Sequence, residues 1–305
     1  MIYIIFVVSL VVLLIGSDWF IDSAEKIGLS VGISPFIVGV TIVAFGTSLP
    51  ELATSIASVM EDSSEIVIGN VVGSNIANIL LVLGMTAFIA KEIKLDFDIM
   101  NVDVPLLIIS SILLFWCVSD FKFTIFEAIL LLLSLAIFLY NSMKGTESTD
   151  EDHRPTVTWK NYVMLVIGGA CVYFGATYTI YAINDISLSL GISPDIIALT
   201  VIALGTSLPE VVVSISAARK GKHAIAIGNV LGSNMFNTYA VMGIPRFFGD
   251  LTIPGDIMAF TMPFMVCVTL LFFFIVLSKR IGQWEGAMLL ILYIFYINQI
   301  TGLIK

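Results

Sequence analysis

GISPFIVGVTIVAFGTSLPE, residues 32–51, returns as GISPDIIALTVIALGTSLPE at residues 191–210. A second stretch, IGNVVGSNIANILLVLG at 68–84, returns as IGNVLGSNMFNTYAVMG at 227–243. Subtracting Glu51 from Glu210 gives an offset of 159, and the same offset relates Asn78 to Asn237. The two blocks align without a gap over 53 residues (32–84), and 26 of these positions are identical. The chain is therefore built from two related halves.

The composition is that of an integral membrane protein. Of the 305 residues, 58% are hydrophobic and 12% are charged, whereas soluble domains average roughly 45–50% apolar and about 25% charged residues. Apolar runs long enough to cross a bilayer recur along the whole chain. The formal charge of −9 argues against a nucleic-acid partner. The expected surroundings are a lipid bilayer, and no obligate protein partner is evident.

The hydropathy pattern predicts an all-α fold with ten transmembrane helices in two five-helix repeats. We expect the first repeat at residues 1–143, a charged linker at 144–158 and the second repeat at 159–305. Because each half has an odd number of spans, the second half begins on the opposite side of the membrane from the first. The two repeats are therefore inverted relative to each other. Inverted repeats are typical of secondary transporters, with the substrate site near the midplane. The first span is expected to end near residue 24, with Asp18 as a hydrogen-bonded acid at the interface.

The distribution of Lys and Arg predicts the orientation in the membrane. With ten spans, one side holds Lys26, Lys91, Lys94, Lys144, Arg154, Lys160, Arg219, Lys220, Lys222, Lys279 and Arg280. The other side holds Lys122, Arg246 and Lys305. We therefore expect a multi-pass protein of the plasma membrane whose linker is cytoplasmic and whose termini are both extracellular.

The repeated GTSLPE motif places an acid in the middle of an apolar span, as Glu51 and Glu210. A carboxylate at that depth costs about 2.5–3.5 kcal/mol on insertion scales, so two at matching positions indicate a function. Pro50 and Pro209 each break the helix, and we expect nearby carbonyls to face a cavity. Anionic and neutral oxygen donors of this kind suit Ca²⁺.

The repeated GSN-x-x-N motif adds amides that share one helix face. We expect Asn75 and Asn234 to bind neighbouring helices, and Asn78 and Asn237 to face the ions.

Taken together, GTSLPE followed by GN-x-x-GSN-x-x-N in two inverted copies resembles the α-repeats of the sodium/calcium exchanger family, prokaryotic type. The resemblance implies a ten-helix antiporter that exchanges Na⁺ for Ca²⁺ by alternating access, with helices one and six sliding past the others. Both ions are transported substrates, and no prosthetic group or enzymatic activity is implied.

The resemblance also implies a set of ion ligands. Glu51 and Glu210 match the central acids, Thr47 and Thr206 match carbonyl ligands of calcium, and Asn78 matches a central polar residue, with Asn237 its twin in the second repeat. Two pseudo-symmetric sodium sites are implied, one with Ser48, Ser74 and the Ala44 carbonyl, the other with Ser207, Ser233 and the Ala203 carbonyl.

One position departs from the family pattern, because many members carry Asp where this chain has Asn237. The substitution removes a titratable group and predicts transport that does not require K⁺. The alternative is H⁺/Ca²⁺ exchange on the same glutamates. Proton-coupled members usually carry an acid where this chain has Gly73 and Gly232, which favours sodium. A cation channel fits the inverted halves less well, and the sequence offers no histidine within a span for enzymatic acid–base chemistry.

Overall fold

The computed structural model describes residues 2–95, 103–144, 155–189 and 207–302, and these form helices joined by short turns and one small β-ribbon. Helix bounds in the first half are α1 Ile2–Ser30, α2 Pro35–Met60, α3 Glu65–Ala90, α4 Asp103–Cys117 and α5 Ile125–Lys144. Strand β1, Glu92–Lys94, follows α3 directly.

In the second half, α6 is Trp159–Ser189, α7 is described from Leu208 to Arg219, and α8 is His223–Phe236 with a π-helical continuation Asn237–Val241. A short 3₁₀ turn, Ile244–Phe247, precedes α9 at Ile257–Val276, strand β2 at Arg280–Gly282 and α10 at Gln283–Thr301.

Within the described ranges, six helices are long and apolar enough to cross a membrane, namely α1, α2, α3, α5, α6 and α9. Helix α4 is apolar but shorter, with 15 residues. The all-α, multi-pass membrane architecture expected from the sequence is confirmed. The linker expectation falls mostly on residues 145–154, which lie outside the described part of the chain.

Several helices contain wider π turns at the positions that approach the centre of the molecule. These are Gly39–Val43 in α2, Asn78–Leu83 in α3 and Asn237–Val241 after α8. A π turn inserts one residue into the helical register and is frequently found at functional sites. A further π turn, Ile257–Thr261 at the start of α9, has no buried residue. The two copies at Asn78 and Asn237 begin at equivalent positions of the repeat, which indicates that the irregularity belongs to the shared design of both halves.

Helices α1 and α6 pack backbone against backbone along their length. A Cβ atom on Gly168 would lie 2.7 Å from the Phe20 nitrogen, and one on Gly175 would lie 2.8 Å from the Leu13 Cα. Small residues permit such close approach between membrane helices. A buried apolar cluster that includes Leu13, Phe20 and Val172 joins this pair to α2, α7 and α8.

The two halves of the chain meet where α8 crosses the first part of α2. A Cβ on Gly39 would lie 2.5 Å from the Ile225 carbonyl oxygen, and one on Gly228 would lie 2.4 Å from the Phe36 carbonyl oxygen. A Cβ on Gly232 would come within 2.3 Å of the Val40 oxygen. Glycine is required at this crossing because any side chain would push the helices, and the polar residues they carry, apart.

Helix α1 is longer than expected from hydropathy, since it runs to Ser30 and not to residue 24. Asp18 therefore lies well inside the helix. It accepts a hydrogen bond from the Ser216 hydroxyl at 2.6 Å and pairs with Lys220 at 3.0 Å. Asp22 pairs with both Lys220 and Lys222, so the acids that suggested a helix end are neutralised by the α7–α8 turn.

Candidate functional site

The two motif glutamates occupy equivalent positions in the first turn of a helical segment. Ser48, which interrupts α2, has φ −91° and ψ 5°, and Ser207, which precedes the described part of α7, has nearly the same backbone conformation, with φ −86° and ψ 0°. Each serine is followed by a new helical segment with proline in its first turn, and Glu51 and Glu210 lie in that first turn. The positive end of a helix dipole favours a negative charge there.

Both carboxylates are buried, each with 1% of its surface exposed. The Ser48 hydroxyl donates a hydrogen bond to Oε1 of Glu210 at 3.3 Å, which joins the break in one half to the acid of the other. Glu51 and Glu210 are also close enough for direct electrostatic repulsion. Two like charges in a buried space require a counter-charge, because an uncompensated buried ion is strongly destabilising.

Thr47 connects the broken helix α2 to α8. Its Oγ1 lies 3.1 Å from Oδ1 of Asn229, to which it donates, and 3.4 Å from the Ser233 hydroxyl. The Ala44 carbonyl accepts a hydrogen bond from the Ser48 nitrogen at 3.0 Å, and the Thr47 hydroxyl lies 3.3 Å from the same oxygen. The Ala44 carbonyl therefore keeps its helical hydrogen bond, because the N–H that Pro50 lacks would have bonded to the Gly46 carbonyl.

The asparagines link the two halves in pairs. The Asn75 amide donates to the Thr238 hydroxyl at 2.9 Å, so its predicted role between helices is confirmed. The Asn78 amide donates to Oδ1 of Asn234 at 3.1 Å, so Asn234 also binds the opposite half. Asn237 is fully buried.

Several buried oxygens at this centre have no hydrogen-bond partner among the described residues. They are Oε1 and Oε2 of Glu51, Oε2 of Glu210, and Oδ1 of Asn75, Asn78 and Asn237. A buried polar atom without a partner costs about 1–3 kcal/mol. So many acceptors, two of them on one carboxylate, favour a cation as the missing partner.

Most of the predicted ligand residues are buried in the structure. Thr47, Ser48, Ser74, Asn78, Ser207, Ser233 and Asn237 are all buried, as are the two glutamates. The Ser74 hydroxyl contacts Oδ1 of Asn70 at 3.4 Å. Ala203 and Thr206 lie outside the described residues, so their predicted roles stay predictions.

Two asparagines that were not predicted from the sequence support the site. The Asn70 amide donates to the Glu51 carbonyl at 3.2 Å and to the Ser55 hydroxyl at 3.1 Å. The Asn229 amide donates to the Ser214 hydroxyl at 2.9 Å. The signal was present, because Asn70 and Asn229 are the N of the repeated GN, and Ser55 and Ser214 are also repeat partners.

The donor set is made of carboxylate, amide, hydroxyl and carbonyl oxygens. In the described residues, no three His, Cys, Asp or Glu side chains gather as a metal-binding group. Two carboxylates supplemented by neutral oxygens suit a hard, exchangeable cation, which prefers roughly six to eight oxygens if it is Ca²⁺. Fold and site together define the class of this molecule as a multi-pass membrane protein with a buried cation site between its two halves.

Comparisons with known proteins narrow that class. The family model described as sodium/calcium exchanger protein matches residues 1–144 and 160–301. The chain is 33% identical to the sodium/calcium exchanger MaX1 of Methanosarcina acetivorans, over 97% of each chain. It is 35% identical to the putative antiporter CaxA of Alkalimonas amylolytica, over 95% of each.

Solved structures of the sodium-calcium exchanger NCX_Mj share the same fold. One crystal soaked with Na⁺ and without Ca²⁺ superposes with a TM-score of 0.85 at 32% identity, covering 97% of this chain and 99% of that one. Another, soaked with Na⁺ and Ca²⁺, gives 0.83 at 32% identity, over 96% of both.

The chain belongs to the sodium/calcium exchanger family. It is a membrane protein of a family that exchanges cations for Ca²⁺ and is not a class of catalytic enzymes.

Proposed function

We propose that this chain is a Na⁺/Ca²⁺ antiporter that works by alternating access through ten helices in two inverted repeats, residues 1–143 and 159–305, joined by a linker at 144–158. The observation that carries the proposal is the pair of buried carboxylates, Glu51 and Glu210, in which three of the four oxygens have no hydrogen-bond partner among the described residues. Family membership supports exchange of cations for Ca²⁺.

The charge of the site gives a reason for obligatory exchange. Two ionised glutamates are balanced by one Ca²⁺ or by two Na⁺, whereas an empty closed site would hold two uncompensated charges. The transition between outward- and inward-facing states is then favourable only with a loaded site. Additional Na⁺ bound on neutral oxygens makes the exchange electrogenic.

We assign ion ligands to residues of the first repeat and to the equivalent residues of the second repeat. Calcium is held by Glu51 and Glu210 with the carbonyls of Thr47 and Thr206, and Asn78 and Asn237 complete the centre. Sodium sites flank it. One uses Ser48, Ser74 and the Ala44 carbonyl, and the other uses Ser207, Ser233 and the Ala203 carbonyl. The burial of the described members of this set supports the assignment.

The absence of a third central acid supports independence from K⁺. Asn237 is neutral and fully buried, so the centre carries one titratable group fewer than an aspartate there would give it. For the orientation, eleven cations against three place the central linker in the cytoplasm and both termini outside the plasma membrane.

The test is uptake of radiolabelled Ca²⁺ by proteoliposomes loaded with Na⁺ and diluted into Na⁺-free medium. We expect uptake that requires internal Na⁺ and is insensitive to K⁺ and to a pH gradient. A membrane potential that is negative outside the vesicle should accelerate it, because the exchange carries net positive charge outward. Glu51→Gln and Glu210→Gln should abolish it, whereas Glu65→Gln, which alters an exposed acid at the start of α3, should not.

The outcomes separate the competing functions. Uptake driven by a pH gradient without Na⁺ would make the protein a proton-coupled exchanger. Uptake without any counter-ion would contradict antiport, and full activity in either glutamine variant would contradict the site. A K⁺ requirement in the native protein, or unchanged ion dependence in Asn237→Asp, would contradict K⁺-independence.

A further inference from the structure

The β-ribbon places two cations directly opposite each other. Strands β1 and β2 pair antiparallel, with Lys94 opposite Arg280 and Ile93 opposite Ile281. The isoleucines are fully buried, so Lys94 and Arg280 share the exposed face. Like charges directly opposite across an antiparallel pair are destabilising. An anion bound between them would remove that repulsion.

Two more exposed cations lie at the starts of the strands. Lys279 immediately precedes β2, next to this pair, and Lys91 immediately precedes β1, at the opposite end of the ribbon. Both have a positive φ, 68° for Lys91 and 54° for Lys279, which turns the chain sharply at each strand start. We call Lys91, Lys94, Lys279 and Arg280 the basic ribbon. Its strands also carry one acid, Glu92, which lies opposite Gly282 at the far end of the pairing.

The basic ribbon differs from the neighbouring basic turn in how its charges are compensated. In the turn, Lys220 pairs with Asp18 and Asp22, and Lys222 pairs with Asp22 and Glu25. In the described part of the chain, none of the four ribbon cations has a carboxylate within ion-pair distance. Among the described residues, the ribbon cations therefore lack the carboxylate partners that Lys220 and Lys222 have.

The ribbon lies where membrane helices end. Strand β1 follows α3 after one residue, and β2 joins α9 to α10. Trp284, in the first turn of α10, is 86% exposed, and Leu277 at the end of α9 is 51% exposed. Exposed tryptophan at a helix end is typical of the lipid headgroup region. The ribbon cations thus lie at the level of lipid phosphates.

We infer that the basic ribbon binds the headgroup of an anionic phospholipid, with the phosphate between Lys94 and Arg280 and the glycerol region against Trp284. The guanidinium of Arg280 offers two parallel donors to phosphate oxygens, and Lys94 adds a point charge. The backbone N–H of Lys94 also donates a hydrogen bond to Nδ1 of His223 at 3.3 Å, which connects the ribbon to the start of α8. This interaction is independent of which ions are transported.

The test uses Trp284 as a reporter. Replacing Trp19, Trp116 and Trp159 by Phe leaves one tryptophan, and all three positions are exposed on the lipid side. The protein is reconstituted into phosphatidylcholine vesicles that contain a small fraction of brominated phosphatidylglycerol or, separately, brominated phosphatidylcholine. Attraction of one cation to an anionic lipid is worth about 1 kcal/mol, which corresponds to about a fivefold preference. At equal mole fractions, brominated phosphatidylglycerol should therefore quench Trp284 at least five times as strongly as brominated phosphatidylcholine.

The variants decide whether the ribbon is responsible. Lys94→Gln with Arg280→Gln should reduce the preference at least fivefold, and Lys94→Arg with Arg280→Lys should keep it. The matched control is Lys26→Gln with Lys160→Gln, which removes two exposed cations away from the ribbon and should keep the full preference.

Three results would overturn the inference. They are equal quenching by both lipids, an undiminished preference in the ribbon glutamine variant, or an equal loss in the control. Loss of the preference on adding millimolar glycerol phosphate would assign the site to soluble phosphates and not to the bilayer. A circular-dichroism melt of each variant checks that a lost preference does not come from unfolding.

Discussion

Gly168 and Gly169 are neighbours in α6, yet an added methyl group would meet very different surroundings at the two positions. At Gly168 a Cβ would lie 2.7 Å from the Phe20 nitrogen, 2.9 Å from its Cα and 3.0 Å from the Gly16 oxygen. At Gly169 the nearest atom is the Phe20 ring carbon Cε2 at 3.6 Å, an ordinary contact. Gly168→Ala should therefore force α1 and α6 apart, while Gly169→Ala should fit.

The magnitude follows from the backbone contacts. Ordinary contacts begin near 3.4 Å, so relief at Gly168 requires the helices to separate by about 0.5–0.7 Å, and overpacking of this kind costs about 1–3 kcal/mol. Both variants gain the same helix propensity on replacing glycine, about 1 kcal/mol in water. The difference between them therefore isolates the packing cost.

Thermal unfolding of the detergent-solubilised protein measures that difference. In a background with Cys171→Ala and Cys267→Ala, which removes the two more accessible thiols, a thiol-reactive fluorescent dye reports the exposure of Cys117, which is 6% exposed in the folded state. For a chain of this size, each kcal/mol moves the midpoint by about 2 °C, so Gly168→Ala should melt about 2–6 °C below Gly169→Ala. Equal midpoints would refute the backbone-to-backbone packing of α1 and α6.

Three further substitutions probe the site and its supports. Asn229→Ala removes the acceptor of the Thr47 hydroxyl. Because one buried hydrogen bond is lost, the half-saturating Ca²⁺ concentration in uptake should rise about five- to tenfold. An unchanged value would contradict the role of Asn229 in supporting the site. Gly228→Ala drives a methyl group to 2.4 Å from the Phe36 oxygen and should lower the uptake rate at saturating Ca²⁺, while normal uptake would contradict the tight crossing. Lys220→Met breaks half-exposed ion pairs and should lower the unfolding midpoint by no more than about 2 °C. High salt should largely remove this difference between the native protein and the variant, because salt screens exposed charges. A larger difference that does not depend on salt would contradict this reasoning.

Much of the architecture is readable from local patterns. Apolar runs of membrane length, a proline three residues after each repeated glycine-threonine pair, and an acid beside it are all short-range features. They predicted the break that the structure shows at Ser48 in α2, because proline disrupts a helix wherever the chain folds. The fixed offset of 159 then indicated that both breaks serve the same site.

The length of α1 was decided by tertiary structure. Hydropathy falls at Asp18, Asp22 and Glu25, which favoured a helix end near residue 24. The helix continues to Ser30 because these acids meet Lys220 and Lys222 from the α7–α8 turn. A partner about 200 positions away cannot be read from the local sequence.

The contacts that assemble the cation site were likewise decided only by the tertiary structure. The sequence by itself determined which residues carry the oxygens, since the repeated Glu51, Glu210 and their neighbouring hydroxyls stand out from apolar surroundings. It did not determine that Ser48 reaches Glu210, or that Thr47 binds Asn229, because these pairs are 162 and 182 residues apart. Such pairings depend on where two helices cross, and the crossing is set by glycines that allow the backbones to touch.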